Sequence, residues 1–322
     1  MPDRRASPGM RPGRCPRVGL PVPSPSFIHP ERLLPYQPTR KGVMVTILVT
    51  GGRGHVARAV VGGLLAAGER VRVASRSPER AMVPSGVETV RADLADPATL
   101  SAALEGVRKV FLYADARGLD GFVAAAEAAG SPDVVLLSAL GADGGDHTRD
   151  PIVRMHHTAE DTLRRSALAW TFLRPGAFAT NTLQWAPAIR ATGTVEAPYP
   201  LAHAASVHEA DIADVAVLAL TEDGHRGRVH PLTGPASVTQ QEQVDCLSAA
   251  TGRKIVLAEI GPEEYRATLH QWGDEEMVDT LLGHLSDADN RPATVHSTYQ
   301  DLMGRPGRTY AQWALDHADD FR

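Results

Sequence analysis

The 322-residue sequence holds only two cysteines, Cys15 and Cys246. That excludes a disulfide framework and a cysteine-rich zinc site, and it fits a reducing compartment. Long apolar runs are also missing. None approaches the roughly 18 residues that a membrane helix needs. No apolar stretch near the start resembles a secretory h-region, so a cytoplasmic location is expected. Neither HExxH nor GxSxG occurs, so no metal is expected and a hydrolase of the nucleophile-elbow type is disfavoured. Lysine is scarce, with three (Lys41, Lys109 and Lys254) against 30 arginines, a bias that reads as GC-rich coding.

Basic charge is confined to one end. Residues 1–43 hold eight basic and two acidic residues, and the rest hold 25 basic against 36 acidic, a net of −11. An acidic body has no electrostatic footprint for direct nucleic-acid binding. The same first 43 residues hold ten of the 24 prolines. They have no helical or strand period and cannot bury enough surface to offset their ordering entropy. We read 1–43 as a disordered tail, with Met44 as an alternative start.

Apolar residues make up 43% of the chain and charged residues 22%, ordinary values for a globular protein. From Met44 onward short β-branched runs alternate with Ala/Leu-rich amphipathic ones. Strands are expected at 44–50, 70–75, 87–92, 109–114, 133–139 and 170–175. Helices are expected at 55–68, 97–106, 119–130 and 152–167. This alternation predicts an α/β fold: a doubly wound parallel sheet of Rossmann type with helices on both faces. Residues 44–175 form its nucleotide-binding core. Beyond Pro175 the alternation loosens. Residues 176–322, with helices at 209–223 and 239–252, are expected to return over the strand ends as a small substrate-cleft lobe of the same domain.

The strongest local signal is the turn Thr50-Gly51-Gly52-Arg53-Gly54-His55-Val56, which leaves a predicted strand and opens a predicted helix. Gly51 and Gly54 suit a tight turn and close approach to a pyrophosphate, which the helix N-terminus then receives. The next strand ends in Ser75-Arg76-Ser77, with no acid until Glu79. A guanidinium flanked by hydroxyls suits a 2′-phosphate, so Arg76, assisted by Arg53, predicts NADP(H) over NAD(H). Asp93 and Leu94 end the third strand and are candidates for the adenine. Asp96 precedes Pro97 and is the better helix cap, which leaves Asp93 free. Tyr113, followed by Ala114 at the end of the fourth strand, is a candidate to pack against the nicotinamide or the adenosine and reads equally as a strand-end aromatic, while Pro175 ends the sixth strand where the nicotinamide end would approach.

These segments, with SRSPER, RADLADPATL, LSALGA, TFLRPGAFATN and the ending at 304–321, resemble the NmrA-like atypical short-chain dehydrogenase/reductase family over about residues 44–322. The resemblance implies a Rossmann fold and NADP binding. Members include reductases of quinones and related acceptors, and proteins that only sense the cofactor and act through partners.

Short-chain dehydrogenases use Ser, Tyr and Lys. By this resemblance Ser138 matches the serine, His156 stands in the lysine position and Ile152 in the tyrosine position. His156 lies at the edge of the stripe Ile152, Met155, Ala159 and Leu163. His157 points about 160° away and is expected to face solvent. Glu160, four residues beyond His156, is placed to orient its ring. Without the tyrosine, an already electrophilic acceptor is favoured over an unactivated ketone. The leading expectation is an NADPH-dependent oxidoreductase acting on a quinone-like or other small conjugated acceptor. A cofactor sensor working through a protein partner remains the alternative, and a homodimer stays open.

Overall fold

The computed structural model describes residues 46–113, 117–144 and 150–322. The proline-rich tail 1–43 and the candidate Ala114 lie outside the described residues. From Thr46 the chain builds β1 (Thr46–Val49), α1 (His55–Ala66), β2 (Arg70–Ser75), β3 (Glu88–Arg91) and α2 (Leu100–Leu104). Then follow β4 (Val107–Tyr113), α3 (Leu119–Ala128), β5 (Asp133–Leu137), α4 (Pro151–Arg165) and β6 (Trp170–Pro175). The largest departure from expectation is at 97–106. A 3₁₀ turn at Pro97–Thr99 takes up its start, and α2 is only five residues long. The chain must already enter β4 at Val107.

These strands pair in parallel in the order β3-β2-β1-β4-β5-β6, and β9 (Arg228–Leu232) adds a seventh beside β6. The order reverses between β1 and β4. At such a switch point two successive connections leave to opposite faces and open a crevice at the carboxyl ends of the strands.

Strand alternation fills both faces. Ile47, Val49, Val73 and Phe111 meet Val60, Val61 and Leu64 of α1 on one side. Leu48, Val110, Leu112 and Phe172 meet Leu104, Phe122, Ala159 and Leu163 on the other. Both faces are thus apolar, as a parallel sheet between helices requires.

The second half interleaves with the first. It runs through α5 (Ala186–Thr192), β7 (Thr194–Ala197), β8 (His203–Ala204), α6 (Glu209–Thr221), β9 and β10 (Val238–Thr239). It then continues through α7 (Gln240–Thr251), β11 (Val256–Glu259), α8 (Pro262–Leu269), α9 (Glu275–Ala288), α10 (Thr298–Met303) and α11 (Tyr310–Asp316). Helix α6 puts Ile212, Val215 and Ala216 into the same apolar cluster as α1, so it belongs to the sheet body. A separate core holds Trp185, Ile189, Leu247, Leu269, Leu282, Trp313 and Phe321. Residues after 176 therefore complete the sheet body as well as building the lobe.

Candidate cofactor and active site

Thr50 ties the end of β1 to β4. Its hydroxyl donates to the Phe111 carbonyl (3.2 Å) and accepts from the Tyr113 amide (2.8 Å). The chain then turns at Gly51, where φ is +69°, a left-handed conformation that favours glycine. A Cβ on Gly52 would lie 2.4 Å from Val73 Cγ1. Gly54 has φ −74°, which any residue adopts, and it caps α1 through its backbone alone. The fold of the turn therefore calls for glycine at 51 by its φ and at 52 by its packing, while at Gly54 only the expected close approach of a pyrophosphate would. Helix α1 has no side-chain cap and no acid in its first turn. Its opening N–H groups and the positive end of its dipole are left for an anion.

These residues line a cavity of about 840 Å³ at the switch point. Thr50, Gly51, Gly52, Arg53, Gly54, His55, Val56, Arg76, Asp93, Leu94 and Tyr113 all take part in its wall. Arg53 and Arg76 are exposed, and neither makes an ion pair among the described residues. Two uncompensated guanidinium groups beside an uncapped helix start fit a phosphate-rich nucleotide. Tyr113 is half-exposed, with its Cβ 3.1 Å from where a Gly51 Cβ would stand.

Asp93 is less free than expected. One of its carboxylate oxygens accepts the Ala95 amide at 3.0 Å, and its own amide donates to the Thr99 hydroxyl. Asp96 makes no side-chain cap. Its carbonyl instead takes the Thr99 hydroxyl at 2.7 Å, so the turn is closed by Thr99.

The candidate catalytic residues are arranged differently from expectation. Ser138, His156 and Pro175 do not line this cavity; Leu137, Met155, Phe178 and Thr180 do. Pro175 is buried, and its carbonyl accepts the Leu140 amide at 2.9 Å. Ser138 is only 2% exposed and donates its hydroxyl hydrogen to Glu160 at 2.6 Å. A hydroxyl so committed has lone pairs left but no proton to offer, and beside a carboxylate it does not favour a developing oxyanion.

Glu160 does not orient His156. It is fully buried and is taken by Arg174 (2.8 and 2.6 Å), Arg164 (2.8 Å) and Ser138. A carboxylate removed from water needs complete compensation, and the planar guanidinium supplies it in two parallel bonds. His156 is left half-buried, and its buried Nδ1 has no hydrogen-bond partner among the described residues. Burial holds its pKa below the ordinary imidazole value, against the opposing charges of Glu160 and Asp150. Burial thus favours the neutral form of the ring. His157 does not face solvent. It is half-buried, with Nδ1 2.9 Å from the Ala142 carbonyl, because the turn after β5 folds back over the start of α4.

Sequence reasoning missed the Glu160–Arg174 pair. Its signal was present: an arginine in the apolar run Trp170–Pro175, and an acid next to Ala159 on the buried stripe.

A family model described as NAD(P)H-binding matches residues 51–223. The chain is 40% identical over 280 residues to a (4-alkanoyl-5-oxo-2,5-dihydrofuran-3-yl)methyl phosphate reductase from Streptomyces griseus, covering 85% of this chain and 99% of that protein. It is 34% identical to an NAD(P)H azoreductase from Xenophilus azovorans, with 85% and 99% covered. A solved NADPH complex of an NADPH-dependent quinone oxidoreductase from Escherichia coli superposes with a TM-score of 0.70 at 25% identity, over 84% of this chain and 99% of that one. The glycine turn, the switch-point cavity and these matches agree: the chain belongs to the NAD(P)H-binding family of Rossmann-fold oxidoreductases.

Proposed function

We propose that this chain is an NADPH-dependent reductase of small, electrophilic, conjugated acceptors such as quinones, azo compounds or unsaturated lactones. The observation that carries the reading is the cradle at the switch point. An uncapped α1, the left-handed Gly51 and the exposed arginines Arg53 and Arg76, which have no ion pair among the described residues, surround one cavity. The comparisons support it, since the relatives at 40% and 34% identity are both named reductases.

In this reading the α1 N-terminus and the 50–56 turn hold the diphosphate. Arg76, with Arg53, reads the 2′-phosphate, and Asp93 and Leu94 hold the adenine. The nicotinamide cofactor supplies a hydride when bound, and the reduced acceptor takes one further proton. Leu137, Met155, Phe178 and Thr180 form the wall toward which an apolar acceptor packs and from which water is excluded. His156 stands next to Met155, just behind the wall, and is the candidate partner for the ribose or for that proton once the ligand or the wall adjusts, because its buried Nδ1 has no hydrogen-bond partner among the described residues. Ser138 holds Glu160 in place.

The test is oxidation of NADPH at 340 nm with a panel of a quinone, an azo dye and a butenolide, beside an unactivated ketone. Turnover of the electrophilic acceptors and not the ketone is expected. Tight NADPH binding without turnover of any acceptor would replace the reading with a cofactor sensor.

A further inference from the structure

Glu160 is a fully buried charge whose two oxygens are both satisfied at the end of the sheet. Its Oε1 accepts from Ser138 Oγ (2.6 Å) and Arg174 Nε (2.8 Å), and its Oε2 accepts from Arg174 (2.6 Å) and Arg164 (2.8 Å). Arg174 continues to Asp143 at 2.5 Å. These bonds join four pieces of chain: α4, the end of β5, the end of β6 and the turn after β5. Stability alone is a poor reason to bury such a pair, since well-packed apolar residues often serve as well or better. What a bidentate pair supplies beyond packing is one defined geometry.

That geometry sits beside the cavity. Ser138 follows Leu137, Arg174 precedes the Pro175-Gly176 turn, and α4 carries Met155; Leu137 and Met155 both line the wall. The stripe of α4 against the sheet is small at this level, with Ala159 at the contact. The small side chain lets α4 come close to the sheet here, and the ion pair adds a fixed reach from the helix to the ends of β5 and β6.

We propose that Glu160 and Arg174 act as a positioning pair, setting the depth of α4 against the ends of β5 and β6 and so placing Met155 in the cavity wall. The kinetic consequence rests on the reductase reading; the placement of Met155 does not.

The test is the double variant Glu160→Leu/Arg174→Met, which removes both charges and keeps apolar bulk. Either single change would strand one buried charge and endanger folding. The double variant is expected to keep its Tm within a few degrees and its NADPH Kd within about threefold. Its Met155 methyl resonance, assigned in the wild type through Met155→Leu, is expected to move or broaden, with and without NADPH. Turnover of the quinone is expected to fall about tenfold or more with little change in KM, since a displacement near 1 Å at the reacting centre has effects of that order or larger. A wild-type Met155 resonance together with wild-type kcat would overturn the proposal and leave the pair structural. If the wild type turns over no acceptor, the reductase reading fails, and the Met155 resonance alone decides the positioning claim. If the double variant does not fold, Glu160→Asp, which keeps the charge and shortens its reach, is measured the same way.

Discussion

Gly52 and Val73 leave no room between them: a Cβ on residue 52 would lie 2.4 Å from Val73 Cγ1. Val73 is fully buried in β2 and β-branched, so it cannot swing aside. Gly52→Ala is therefore expected to lower stability by about 1–3 kcal/mol, the usual scale of overpacking. It should also weaken NADPH binding, because the turn must shift to make room. Chemical denaturation and cofactor titration check both. Adding Val73→Ala to Gly52→Ala should recover much of the loss; no recovery would show that the glycine serves the ligand and not the packing.

Arg76 and Arg53 stand exposed at the cavity wall with no acidic partner among the described residues. Arg76→Ala should weaken NADPH binding by about 1.5–3 kcal/mol, the scale of a hydrogen bond to a charged group. NADH affinity should barely change, since it lacks the 2′-phosphate. Arg53→Ala should show the same selectivity with a smaller loss. Parallel titrations with the two cofactors decide, and equal losses would remove Arg76 from this role.

His156 and His157 are adjacent but differently held. His156→Ala is expected to lower quinone turnover by about 10²-fold, the lower end for a general acid. NADPH binding should survive. His157→Ala should act mainly on stability, by about 0.5–1.5 kcal/mol, through loss of its bond to the Ala142 carbonyl. Turnover per folded molecule and denaturant midpoints separate the two effects. Full activity in His156→Ala would leave the proton to solvent.

His317 should give the stability profile an alkaline limb. Its ring lies 2.7 Å from Glu209 and 2.8 Å from Asp320, and these carboxylates raise its pKa above the ordinary 6.5. That contribution is full below pH 6.5 and is lost as pH rises through the raised value. His317→Gln should flatten the limb. Trp313 stacks on this imidazole at 4.6 Å, so its fluorescence should report the same titration and lose it in the variant.

His230 works in the opposite direction. Burial, the largest cause, lowers its pKa to about 4. Its contribution is full above the unfolded value near 6.5 and is lost as pH falls toward about 4. His230→Gln should relieve acid destabilisation in that window, read as Tm against pH.

The α/β class, the glycine turn and most element positions were legible in the sequence because they depend on local periods. Strands 70–75 and 170–175 appear in the structure with the same bounds. The candidate residues from Thr50 to Val56, with Arg76 and Asp93, which share the wall of the switch-point cavity, lie within or just after single βα units. A parallel sheet gathers the carboxyl ends of its strands at one edge, so reading each strand end was enough to expect them beside one another.

The catalytic side was not legible in this way. Glu160 was assigned to His156 from helical spacing, yet its partners Ser138, just after β5, and Arg174, in β6, lie 22 and 14 residues away. Helical spacing shows which residues share a face. It does not show which group from across the sheet reaches that face, and a carboxylate out of water takes the strongest compensation available. The same holds for α6 and β9, whose own sequence does not reveal that they close the first half of the fold. The sequence by itself determined the glycine turn and the uncapped helix start beside the cavity, because backbone conformation at one turn suffices for them. Only the tertiary structure decided which ionisable groups pair with one another and which, like the buried Nδ1 of His156, find no hydrogen-bond partner among the described residues.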